Sequence, residues 1–109
     1  MHGGTRWLCS ICGMAWYLAL VPSPAVAAIS RAEAGAAIYA NRCAGCHGED
    51  LNNTSGGWSF DLRRLRPDEY DRFVSSVTTG KDNMPSWYGI LSDDEIEAIW
   101  AYIRATVDK

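Results

Sequence analysis

Two cysteines and a histidine fall within five consecutive positions, Cys43-Ala44-Gly45-Cys46-His47, in a chain of 109 residues. On a helical turn, positions i, i+3 and i+4 share a face. Both thiols and the imidazole can therefore approach one bulky partner from the same side. A small domain of this kind has a thin core and often needs a metal, a disulfide or a cofactor to complete it. Whatever this triplet binds must be part of the fold.

The second Cys-x-x-Cys pair, Cys9 and Cys12, belongs to a different kind of segment. Arg6 is followed by an uncharged, mostly apolar run from Trp7 to Val21, then Pro22-Ser23-Pro24 and the small residues Ala25-Val26-Ala27-Ala28. That order reads as a secretory signal peptide over residues 1–27, cut after Ala27 or, alternatively, after Ala28. The competing reading is a retained anchor, because no charge occurs between Trp7 and Ile29. The two prolines and the Ala-x-Ala site favour cleavage, leaving no membrane span. The mature domain, residues 28–109, then carries nine Lys and Arg against 13 Asp and Glu, a net charge of −4. Such a balance leaves no positive surplus for a nucleic-acid backbone. It keeps only Cys43, Cys46, His47 and one methionine, Met84, as sulfur or imidazole groups.

Three main helices are expected, and the class is all-α. Ser30 and Glu33 form a capping-box pattern opening a helix to about Arg42. Pro67-Asp68-Glu69 opens a second with Tyr70, Phe73, Val74 and Val77 as its apolar stripe, and Gly80 ends it. Ser92 and Glu95 open a third, with Ile96, Ile99, Trp100, Ile103 and Val107 on one face. Residues 48–65 show no steady period and read as an irregular loop.

Cys-x-x-Cys-His is the signature of covalent c-type haem attachment. Both thiols reach the vinyl groups, and the adjacent imidazole faces the iron. Structural zinc needs four ligands, and the mature chain offers three Cys or His side chains. A thioredoxin-like dithiol would need a strand–helix–strand setting, and a plain disulfide would leave His47 idle and the core unfilled. Met84 is the natural second axial ligand. It lies 37 residues after His47, in a loop stiffened by Pro85. The bland alternative is a methionine that merely packs, and Lys81 and Lys109 are remote substitutes.

From about Arg31 to Arg104 the chain resembles a class I cytochrome c. Gly35 and Tyr39, Cys43 to Gly48, Gly80 with Met84-Pro85, and Trp100-Ala101-Tyr102-Ile103 carry the resemblance. It implies a small all-α fold wrapped around one haem, with its first and last helices crossing at Gly35 among Tyr39, Ile99 and Tyr102. The family commonly places a proline soon after the haem histidine, its carbonyl accepting from the imidazole. Between His47 and Arg66 there is no proline, so the acceptor is left unassigned. The run from Phe60 to Leu65, Pro67-Asp68-Glu69, Gly80-Lys81 and Met84-Pro85-Ser86-Trp87 is similar to the small cytochromes that accept electrons from quinoprotein (PQQ) alcohol dehydrogenases.

Smaller candidates have two readings each. Arg63, Arg64 and Arg66 either meet haem propionates or an acidic partner, or form a solvated run. Trp58 either donates to a propionate or packs, and Trp87 either covers the methionine side or packs. Asp93-Asp94-Glu95 reads as compensation of the helix dipole.

A haem with both axial positions filled by His47 and Met84 has no open site for substrate or oxygen. The expectation is therefore a monomeric periplasmic one-electron carrier rather than an enzyme. Its electrons would come from a dehydrogenase donor and pass to a terminal oxidase or another cytochrome. The rival readings are a haem enzyme or gas sensor, in which Met84 yields the sixth position, and a redox subunit held permanently by a dehydrogenase or oxidase.

Overall fold

The computed structural model describes residues 3, 4, 13 and 18–109. The expected n-region at Arg6, most of the apolar run after it, and the Cys9/Cys12 pair lie outside these residues. Four α-helices make up the described chain: α1, Pro24–Arg42; α2, Ala44–His47; α3, Tyr70–Thr79; and α4, Asp93–Val107. Single 3-10 turns at Glu49–Leu51, Leu62–Arg64 and Pro67–Glu69 punctuate the connections. Among the described residues there is no strand, only one antiparallel bridge between Lys81 and Met84. No helix among them is long and apolar enough to cross a membrane.

The first helix begins earlier than its Ser30 signature suggests. Ser23 is the N-cap, its hydroxyl accepting from the Val26 N–H at 3.4 Å, and Pro24 takes the first helical position. Proline is preorganised there because its missing N–H is an orphan in any case. The alanine-rich stretch that follows propagates the helix straight through Ser30. The second helix also starts differently. Pro67–Glu69 closes a 3-10 turn, and α3 proper opens only at Tyr70. Its end at Gly80, φ +77°, is as expected. The capping box of α4 forms as read: the Ser92 hydroxyl accepts from the Glu95 N–H at 3.2 Å, and the Glu95 carboxylate accepts from the Ser92 N–H at 3.1 Å.

Helices α1 and α4 pack directly on each other. Their crossing is at Gly35, where any added Cβ would run into the Ala98 carbonyl. Tyr39 and Tyr102 meet beside it with ring centroids 5.2 Å apart. Tyr39, Ile99 and Ile103 are fully buried and join Leu51, Leu65, Phe73, Val77, Leu91 and Ile96 in one core. Each large apolar side chain of this kind contributes about 1.5–3 kcal/mol on burial. That is enough to hold Leu51 at φ +64°, a left-handed conformation costing roughly 1–2 kcal/mol for a residue with a Cβ. The loop before α3 is therefore anchored in the core at its near end.

Candidate functional site

The Cys-x-x-Cys-His segment is a single helical turn separated from α1 by Cys43. The Cys43 N–H completes α1 by donating to the Tyr39 carbonyl at 2.8 Å. The new turn is closed by His47 N–H to Cys43 O at 2.9 Å and Gly48 N–H to Ala44 O at 2.9 Å. Gly48, φ +89°, ends it, with its Cα hydrogen-side space occupied by the Asn52 carbonyl. From below, the buried Tyr39 hydroxyl donates to the Gly48 carbonyl at 2.7 Å. The core aromatic at the helix crossing thereby fixes the end of the turn.

Both thiols are free of disulfide. Cys46 is exposed, whereas burial, with a smaller contribution from neighbouring Cys46, pushes the Cys43 thiol up to about 11. The imidazole is oriented from across the loop: His47 Nδ1 lies 3.0 Å from the Phe60 carbonyl oxygen. A carbonyl can only accept, so Nδ1 carries the hydrogen, which is the tautomer whose lone pair is on Nε2. This supplies the acceptor that the missing proline left unassigned. Ser59, the neighbour of Phe60, donates its hydroxyl to the Cys46 carbonyl at 2.7 Å, stitching loop to turn. Asn53 holds the same stretch by donating to the Ser59 carbonyl at 2.9 Å.

Met84 is presented by a tight turn. Lys81 N–H donates to Met84 O at 3.1 Å and Met84 N–H to Lys81 O at 2.8 Å. Gly80 is required beneath it, because a Cβ there would lie 2.7 Å from the Met84 oxygen. The segment after Met84 is tied to α3 by Trp87 N–H to Val77 O at 2.9 Å and by the Ser86 hydroxyl to Thr78 O at 2.5 Å. Met84 is half-buried and packs on the core.

Cys43, Cys46, His47 and Met84 all line one cleft of about 340 Å³, with Leu62, Leu65, Phe73, Val77, Ile99 and Ile103 among its walls. Two unpaired thiols, an imidazole with its outer nitrogen already engaged and a thioether in an apolar cleft form a donor set that fits a c-type haem. They do not form a zinc cage. Among the described residues no three His, Cys, Asp or Glu side chains converge as a metal site.

The arginine cluster lies outside the cleft lining. Arg63 pairs with Asp61 at 2.9 Å and Arg66 with Asp68 at 3.1 Å, and neither they nor Arg64 line the cleft. The cations lining the cleft are Arg42, Arg72 and Lys81; of these the sequence pointed only to Lys81, as a remote substitute ligand, and not to Arg42 or Arg72. Arg42 sits 6.0 Å over Trp87, and Arg72 sits 4.8 Å over Phe60. Trp58 and Trp87 both line the cleft, Trp58 largely exposed and Trp87 packed on the core. Asp93, Asp94 and Glu95 occupy the first turn of α4, where their charge complements the helix dipole.

The family described as "Cytochrome C oxidase, cbb3-type, subunit III" matches residues 30–103. Cytochrome c6 of Leptolyngbya boryana is 31% identical over 81 residues, covering 72% of this chain and 95% of the relative. Cytochrome c6 of Microcystis aeruginosa is 33% identical, covering 69% and 96% respectively. Quinohemoprotein alcohol dehydrogenase ADH-IIG of Pseudomonas putida is 34% identical over 73 residues, which is 65% of this chain but only 10% of that enzyme. No solved structure matches. With a family model matching most of the chain and small cytochromes matched along almost their whole length, the chain belongs to the class I monohaem c-type cytochromes, electron carriers built on covalent haem c.

Proposed function

We propose that this cytochrome is a periplasmic one-electron shuttle with His47 and Met84 as the axial ligands. Cys43 and Cys46 hold the haem through thioethers. When bound, the haem supplies a one-electron Fe(III)/Fe(II) couple, and the chain governs how that couple is held. The observation that carries the reading is the hydrogen bond from His47 Nδ1 to Phe60 O at 3.0 Å, in a cleft that Met84 also lines. It leaves Nε2 free to bind and raises its basicity. The Lys81–Met84 turn limits the travel of the thioether sulfur, and the apolar walls exclude water. With both positions filled, the protein transfers electrons and performs no substrate chemistry.

Export follows from reading residues 1–27 as a cleaved signal and residues 28–109 as the mature, monomeric domain. The similarity to part of a quinohemoprotein alcohol dehydrogenase supports a dehydrogenase, of quinoprotein type, as electron donor. The matched oxidase-subunit family supports a terminal oxidase, or another cytochrome, as acceptor. Expression with haem attachment, followed by ferric absorbance spectra of the native protein and Met84→Ala, tests the ligation. The native protein should show a methionine-to-iron charge-transfer band that the variant lacks. A band absent from the native protein, or present in both, contradicts it.

A further inference from the structure

The Phe60 carbonyl that orients His47 belongs to a loop residue that is 39% exposed, so burial alone does not fix it. Something else must hold this peptide at 3.0 Å from Nδ1. On one side Ser59 is tied to the Cys46 carbonyl. On the other, the Arg72 guanidinium carbon lies 4.8 Å from the Phe60 ring centroid, a cation–π distance. Arg72 is itself braced, donating to Glu69 at 2.9 Å, while the other Glu69 oxygen accepts from the Arg66 N–H at 2.8 Å. The start of α3 is thus connected to the imidazole through one aromatic ring.

We propose that Arg72 is a positioning residue: by stacking on Phe60 it holds the Phe60 carbonyl on His47 and so sets the basicity of the axial imidazole. The inference rests on His47 being an axial ligand. A planar guanidinium is needed, because it can lie flat on the ring where an ammonium cannot. Firm hydrogen bonding from Nδ1 gives the imidazole more anionic character, which favours the oxidised iron and lowers the potential. Loosening the stack should therefore raise the potential. Simple loss of a positive charge near the cleft would lower it, so the two effects have opposite signs.

The test uses the haem-loaded protein with Phe60→Leu, Arg72→Lys, the double variant and Phe60→Trp. The readouts are the midpoint potential and, by NMR of the reduced protein, solvent exchange of the His47 Nδ1 hydrogen. Phe60→Leu keeps the carbonyl and the charge of Arg72, and Arg72→Lys keeps the charge but loses the flat stack. Each should speed exchange about two- to fivefold, as expected for an exposed cation–π contact, and raise the potential. The double variant should go no further than either single one, and Phe60→Trp should behave as native. Unchanged exchange and potential in Arg72→Lys, or effects that add in the double variant, overturn the proposal. Should Phe60→Leu fail to load haem, Arg72→Lys against Phe60→Trp decides alone. A native protein whose imidazole resonances show no sign of iron ligation would instead overturn the ligand assignment beneath it.

Discussion

Gly35 on α1 and Ala98 on α4 approach so closely that the Ala98 carbonyl occupies the place a side chain at Gly35 would take. The contact sets the helix crossing, and the crossing sets where Tyr39, Ile99 and Ile103 meet the cleft. Gly35→Ala should force the helices apart, with a cost at or above the roughly 1–3 kcal/mol usual for overpacking. Denaturant unfolding of the haem-loaded protein measures it. A midpoint equal to that of the native protein would show that the crossing is not constrained at this point.

Tyr39→Phe removes the hydroxyl that donates to the Gly48 carbonyl at 2.7 Å while leaving the buried ring. The loss should be about 1 kcal/mol, typical of a neutral hydrogen bond. The absorbance spectrum should not change, because the hydroxyl acts on the end of the α2 turn and not on the imidazole. Unfolding midpoints and spectra measured together separate the two effects.

Ser92→Ala deletes one half of the α4 capping box. It should destabilise by about 1 kcal/mol and leave the midpoint potential unaltered. Thermal unfolding and potentiometry provide the check, and a shifted potential would mean that α4 governs the cleft more directly than its packing implies.

The capping box of α4 was legible from Ser92 and Glu95 because it is local: both partners stand within one turn. The same pattern at Ser30 and Glu33 misplaces the start of α1, since Ser23 and Pro24 have already nucleated that helix upstream. The haem-attachment turn was legible from residue types and spacing, whereas the role of Gly35 came only with the resemblance to class I cytochromes c. The Phe60 acceptor was not, because it is a backbone carbonyl 13 positions from His47, and a carbonyl leaves no trace in side-chain identity. The two readings of the arginines could not be separated from sequence for an electrostatic reason. Arg63 and Arg66 are partnered by Asp61 and Asp68 nearby, while Arg72 reaches the cleft only because α3 carries it there.

The acid limb of stability should depend on Glu69. The Arg66 N–H, and then Arg72, hold its carboxyl below the ordinary value of 4.5. A carboxylate depressed in the folded state contributes stability that is complete above its unfolded value and lost as pH falls through the folded one. Glu69→Gln should therefore lose stability near neutral pH and flatten the decline below about pH 4.5. Unfolding midpoints from neutral to acid pH for both proteins test this. Parallel curves would mean that the carboxylate adds nothing.

Exposure of the reduced, haem-loaded protein to carbon monoxide tests the proposed shuttle most directly. With His47 and Met84 both bound, the ferrous spectrum should stay unchanged on addition of the gas. Ready formation of a carbon monoxide adduct would mean an open or labile sixth position, and the protein would then be a ligand-binding haem protein instead of a simple electron carrier.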